Sequence, residues 1–128
     1  MSSNNRQKGS KAEKLVFRFL AEQGWTPEEV NFTTPYGEVD LIFRKDGQYH
    51  FIEVKARTSQ KFGTPAQAVT RTKQLRYLKS AQFFFSKRGI GDYRVCFDIA
   101  EVYLHSEGNA DIRLIQNAYD FTGIEQFY

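Results

Sequence analysis

The 128 residues are 41% hydrophobic and 16% aromatic, which is enough apolar surface for one folded domain and excludes a disordered chain. One cysteine, Cys96, excludes an internal disulfide and a cysteine-rich zinc site, and no apolar run approaches the ~20 residues that cross a bilayer. The net charge is only +3, yet residues 57–88 hold eight basic side chains and no acidic one, a one-signed region that suits a phosphate-rich partner.

Residues 1–8 are polar and are expected to fray, and MSSNNRQKGSK has no apolar core of a signal peptide, so the expected location is the cytoplasm, with no membrane partner. The domain proper is expected over 9–118. Ser10 followed by Glu13 fits a capping box, and Leu15, Val16, Phe19 and Leu20 recur at helical spacing. Gly24 is the expected C-cap, with Trp25 folding back onto the core. Thr26 to Glu29 read as a connection and Val30 to Thr33 as a first strand.

Two runs rich in β-branched and aromatic residues follow, Val39 to Phe43 and Tyr49 to Val54, on either side of Asp46-Gly47. Asp-Gly in that setting predicts a hairpin with a type I′ turn, because both central residues need positive φ. After a polar loop, Thr64 as N-cap and Pro65 at the first helical position open a long helix. Ala68, Leu75, Leu78, Ala81 and Phe85 mark its buried side, Arg71, Lys73, Arg76 and Lys79 lie off that stripe, and Gly89 and Gly91 end it. Tyr93 to Leu104 reads as a strand whose acidic interruptions are Asp98 and Glu101; a turn at Gly108-Asn109 leads to an antiparallel partner, Ile112 to Ile115. The aromatic tail, 119–128, packs back on the sheet or joins a second copy, so a homodimer is one expectation. The order predicts an α/β sandwich with a mixed central sheet and the hairpin in its middle.

Counting outward from a two-residue turn sets Ile42 opposite Phe51, Asp40 opposite Glu53 and Glu38 opposite Lys55. Alternation then gathers Glu38, Asp40, Glu53 and Lys55 on one face at the end of the hairpin away from its turn. Opposed carboxylates ~5 Å apart repel by about 3 kcal/mol at an effective dielectric near 20, so a cation is expected between Asp40 and Glu53. Magnesium suits such a site, with the Val54 carbonyl and Glu13 of the first helix as further ligands. Lys55 beside the ion can orient or deprotonate an attacking water, or neutralise charge on the phosphoryl transition state. An ordinary exposed salt bridge is the plainer reading of Glu38 and Lys55. It is disfavoured because both faces of the hairpin are largely apolar, leaving the charges to line one end.

Asp40, twelve residues, then Glu53-Val54-Lys55 resembles the D-(x)n-E-x-K signature of the PD-(D/E)xK nuclease superfamily, with Val39-Asp40 where the superfamily name has Pro-Asp. More narrowly, Gly37 to Ile42, Phe51 to Arg57, Phe62-Gly63 and Phe97 to Ile99 are similar to the YraN-type family of bacterial proteins, over about residues 9–118. That family's core resembles archaeal Holliday junction resolvases. The resemblance implies a restriction-endonuclease-like sandwich and a Mg²⁺- or Mn²⁺-dependent phosphodiesterase. In it Asp40 and Glu53 are ligands, Lys55 is the catalytic lysine and Glu13 is the first-helix acid; Glu38 has an open role. The expected substrate is DNA, branched or otherwise structured, gripped by Arg57, Lys61, Arg71, Lys73 and Arg76. Asp98 is expected to support Lys55 or the first helix.

Other candidates have plain readings. His50 falls on the face opposite the acidic cluster, His105 stands near a turn, Cys96 sits in an apolar run as an inert thiol, and Phe83-Phe84-Phe85 reads as core. Two alternatives to a nuclease remain: a nucleic-acid-binding module without chemistry, and a homodimeric scaffold.

Overall fold

The computed structural model describes residues 2–57, 70–106 and 108–119, with side chains from Ser10 onward. In chain order the elements are α1 (Ser2–Glu22), β1 (Thr26–Thr34), β2 (Gly37–Lys45), β3 (Gln48–Arg57), α2 (Arg71–Arg88), β4 (Val95–Leu104) and β5 (Ala110–Ile115). The sheet runs β1-β2-β3-β4-β5, antiparallel except for the β3–β4 pair. A parallel pair needs a crossover, and α2 lies within it. This is the α/β sandwich with a mixed sheet that the sequence predicts, with the helices on opposite faces. Leu41, Phe43, Ile52, Ala100 and Val102 form one core with Ala12, Val16 and Leu20 of α1. Ile42, Phe51, Phe97 and Ile99 form the other with Tyr77, Ala81, Phe84 and Phe85 of α2.

Several boundaries differ from expectation for local reasons. Helix α1 already runs from Ser2, so Ser10 lies inside it and the Ser10/Glu13 box caps nothing. Its other end is as expected: Gly24 takes φ 90°, the Trp25 amide donates to the Leu20 carbonyl at 3.1 Å, and Trp25 is buried. Strand β1 takes in the stretch read as a connection. Pro27 is tolerated there because β1 is an edge strand, and the register shifts between Pro27 and Glu29.

The hairpin turn is as predicted, with φ 51° at Asp46 and 78° at Gly47. Pairing follows the predicted register from Lys45 opposite Gln48 to Leu41 opposite Ile52. There the β2–β3 ladder stops, so the expected Asp40–Glu53 and Glu38–Lys55 cross-strand pairs are not formed.

Helix α2 opens at Thr70, whose extended backbone and side-chain oxygen, accepting the Lys73 amide at 3.1 Å, make it the N-cap. The cap expected at Thr64-Pro65, with Ala68, lies outside the described residues. Gly89 closes the helix in the left-handed region at φ 69°. Its buried side is Tyr77, Ser80, Ala81, Phe84 and Phe85, so the stripe is turned by about one position from that expected, and Leu75 and Leu78 are only half-buried.

Phe84 is fully buried, with edge-on contacts to Phe32, Tyr49, Phe51 and Phe85. Phe84→Ala is therefore expected to cost about 3–5 kcal/mol in urea denaturation. Phe83→Ala, at a half-buried neighbour, is expected to cost clearly less. Equal losses would contradict this assignment of the helix face.

Candidate active site

Asp40 is where β2 changes its relation to the sheet. Leu41 and Phe43 belong to the α1-side core, but Val39, two residues earlier, belongs to the α2-side core, so strict alternation fails between Val39 and Leu41. The Asp40 side chain occupies the gap where the ladder ends: its Oδ2 accepts the Val54 amide at 2.8 Å. A carboxylate thus substitutes for the carbonyl a paired strand would have offered. Its second oxygen, Oδ1, has no hydrogen bond among the described residues. Burial raises the Asp40 carboxyl to about 6 despite the Val54 bond, with the Glu53 and Glu38 charges adding to the rise.

Glu53 comes next along β3 and carries two neighbours the sequence did not place. Its Oε2 accepts from the Lys73 ammonium, and its Oε1 accepts the Tyr119 hydroxyl at 3.0 Å. Lys55 Nζ lies 3.8 Å from the same Oε2. The cation expected between Asp40 and Glu53 is therefore supplied on the Glu53 side by two lysines. Burial pushes the Lys55 ammonium below its ordinary range; Glu53 opposes that shift, while Lys73 and Arg57 add to it.

Lys73 reaches the site because α2 crosses over it, and Tyr119 because the chain after β5 returns along β4. The Ala118 amide donates to the Phe97 carbonyl at 2.8 Å, and the Tyr119 ring stacks on Phe97 with centroids 5.9 Å apart. Tyr77 packs edge-on against Tyr119, and burial together with the nearby Glu53 charge keeps both phenols protonated. Tyr119 is thus the part of the aromatic tail that packs back; residues 120–128 lie outside the described residues.

Glu13 approaches from the α1 side. Its carboxyl is raised by burial and by the Asp40 and Glu38 charges, while a hydrogen bond from Asn31 lowers it. Glu38 is exposed and pairs with Thr33 across β1–β2. It lines a small cleft of about 130 Å³ with Lys73, Arg76 and Tyr77, so it faces α2 rather than Lys55. The β1–β2 turn beside that cleft is tied to α2 by Thr34, whose hydroxyl lies 2.9 Å from that of Ser80 and donates to the Gly37 carbonyl at 2.8 Å.

Asp98 does not support Lys55. It shares a face with Ile52, on the far side of the sheet from Glu53 and Lys55, and its Oδ2 is 2.6 Å from Nδ1 of His50. Its Oδ1 accepts the Asn117 amide at 3.0 Å, and Trp25 packs on the His50 ring at 4.5 Å. The carboxylate thus holds the imidazole under the chain that leaves α1. His50, Cys96 and Asp98 offer ligand atoms within 4.8 Å of one another, but the dyad is already hydrogen-bonded. Burial and the Asp98 charge push the Cys96 thiol up, as expected of an inert cysteine.

Of the residues expected to grip a backbone, Lys73 and Arg76 stand beside the acids and Arg57 is half-buried at the end of β3. Arg71 is exposed in the first turn of α2, and Lys61 lies outside the described residues. Glu101, noted in the sequence only as an acidic interruption of its strand, is a fully buried acid on the same sheet face as Lys55. Its signal was its place, three residues after Asp98 in an otherwise apolar strand.

The acids Asp40, Glu53 and Glu13 come from three elements and offer only oxygen, the donor a hard dication prefers. Burial first, and the neighbouring acids after it, raises the Asp40 and Glu13 carboxyls; among the described residues, the trio of His, Cys, Asp or Glu side chains whose ligand atoms lie within 4.8 Å of one another is His50, Cys96 and Asp98. Among the described residues, no helix is long and apolar enough to cross a membrane.

Comparison with known proteins adds the family. Residues 12–102 match the model of the uncharacterised protein family UPF0102. A UPF0102 protein of Caldicellulosiruptor saccharolyticus is 36% identical over 117 residues, covering 91% of this chain and 99% of its own. Relatives of the same description from Caldanaerobacter subterraneus and Vibrio campbellii are 40% and 37% identical, covering 81% and 90% of this chain and 85% and 93% of their own. With a family model matching most of its length and relatives of the same description aligned over 81% or more of it, the chain belongs to UPF0102, the YraN family.

Proposed function

We propose that this protein is a metal-dependent nuclease that hydrolyses DNA phosphodiester bonds, with branched or otherwise structured DNA as its substrate class. One observation carries the reading. Asp40 leaves the β ladder to sit beside Glu53, where burial and neighbouring anions hold its carboxyl at about 6, with Lys55 next to the pair. A bound cation would relieve the repulsion that helps raise the Asp40 carboxyl, beyond what Lys73 already offsets.

Asp40, Glu53 and Glu13 would hold the ion. Bound Mg²⁺ supplies charge neutralisation at the phosphate and a more acidic water. Lys55, less basic because it is buried, orients or deprotonates the attacking water or meets the charge that builds on the phosphoryl oxygens. Tyr119 fixes Glu53, and Arg57, Arg71 and Arg76 hold the flanking backbone.

The test is incubation of purified protein with a panel of linear, flapped and four-way DNA in Mg²⁺ or Mn²⁺. Cleavage that chelator abolishes is expected; none on any substrate with either ion would sink the reading. A second reading, a binder without chemistry, is favoured by Lys73 and Tyr119 already occupying both Glu53 oxygens. Calorimetry separates the two: salt-dependent DNA affinity with no Mg²⁺ or Mn²⁺ site selects the binder.

A further inference from the structure

Glu101 is the middle of a row that crosses three strands. It is in register with Lys55 on β3 and with Arg113 on β5, and all three share the face that carries Glu53. Its side chain is fully buried, an unusual place for a carboxylate. Oε1 accepts the Tyr103 hydroxyl at 2.8 Å, and Oε2 has no hydrogen bond among the described residues.

Two guanidinium groups converge on this anion without closing a hydrogen bond to it. Arg57 Nε is 3.8 Å from Oε2 and is buried, with no hydrogen-bond partner among the described residues; Arg113 Nη1 is 4.0 Å from Oε1. Their outer parts stay in solvent, the side chains being 32% and 61% exposed. A buried carboxylate that bonds neither of its arginines contributes little to stability. It lies between two cations, and among the described residues neither guanidinium makes a hydrogen bond. Their planar forks match the oxygens of a phosphate. The step from β3 to β5 is about 9.6 Å, so the clamp begins beside Lys55 and extends away from it along the sheet.

We propose that Arg57 and Arg113 form a phosphate subsite for the nucleic-acid backbone flanking the scissile bond, and that Glu101 is the positioning residue that sets them. The inference rests on the nucleic-acid reading above and adds Arg113 and Glu101 to it. Neutralising an acid on a DNA-binding face should tighten binding if charge alone counts. If Glu101 sets the clamp, Glu101→Gln weakens it although the protein becomes more positive.

The experiment is fluorescence anisotropy of a labelled four-way DNA junction in chelator, where nothing is cut, over a range of salt concentrations. Arg57→Gln and Arg113→Gln are each expected to weaken binding severalfold and to lower the slope of log affinity against log salt by about one. Glu101→Gln is expected to weaken binding about as much as either, and to add little when combined with the double arginine variant. Wild-type binding that is unchanged in both arginine variants, or tightened by Glu101→Gln, overturns the clamp and leaves the nuclease reading standing. Absence of any salt-dependent binding by the wild type overturns both. Should Glu101→Gln fail to fold, as its melting would show, the arginine pair still decides, since both side chains reach solvent.

Discussion

Asp40→Asn is expected to abolish metal-dependent cleavage while making the metal-free protein more stable. An amide oxygen at this position still accepts the Val54 amide, so the local structure is retained. The ionised carboxylate goes, and with it the repulsion from Glu53 and Glu38 and the desolvation of a charge. The sign follows from the direction of the shift. The folded carboxyl titrates at about 6 against 3.8 for the free group, so the folded state binds more protons between those values. Stability then falls as pH rises through that window and is lowest above it. A shift of about two units corresponds to on the order of 2–3 kcal/mol. Urea denaturation in chelator should show the variant more stable than wild type by up to about that amount at pH 8, with the difference gone below pH 4. A variant less stable than wild type at pH 8 would mean that the carboxylate is there to stabilise the fold. The same shift makes cation affinity fall as pH drops through 6, because the ion needs the ionised form.

Lys55→Ala is expected to lower the cleavage rate by about 10²–10⁴ while changing DNA affinity no more than a few-fold. Lys55 is largely covered and leans on Glu53, so it is badly placed to add much to a grip on the backbone. Lys55→Arg separates its two roles. A guanidinium keeps the charge but does not give up a proton near neutral pH, so a rate restored by arginine assigns Lys55 to charge stabilisation. An arginine variant as slow as the alanine one, in a protein whose wild-type rate climbs with pH, assigns it to proton transfer. Unchanged cleavage in Lys55→Ala would remove Lys55 from the chemistry altogether.

Much of the fold was legible because its signals are local. Asp46-Gly47 names its turn and fixes the register of five flanking positions on each strand, and Gly24 and Gly89 mark helix ends. The candidate residues could be named from the sequence, but their geometry was misread. Counting outward from the turn assumes an unbroken ladder, and Asp40 breaks it by bonding the Val54 amide with its own side chain. No local pattern announces that exchange. Lys73 was read as a phosphate contact because it lies on a basic helix. That it reaches Glu53 depends on the rotation of α2 over the sheet, which periodicity left one position off. Asp98 was left between Lys55 and the first helix for a related reason, and it lies on the helix α1 side. Which side of β4 meets Lys55 is set by the parallel β3–β4 register, and a crossover of this kind leaves that register unspecified. The same register makes Glu101 a neighbour of Lys55, a relation invisible until β4 is placed.

Anomalous diffraction from a crystal of the wild-type protein soaked in Mn²⁺ tests the central claim most directly. A peak is expected about 2.1 Å from Asp40 Oδ1 and from a Glu53 oxygen, with the Lys73 ammonium drawn away from Glu53. A peak at His50, Cys96 and Asp98 instead, or none at Asp40 in a protein that still binds DNA, would contradict it.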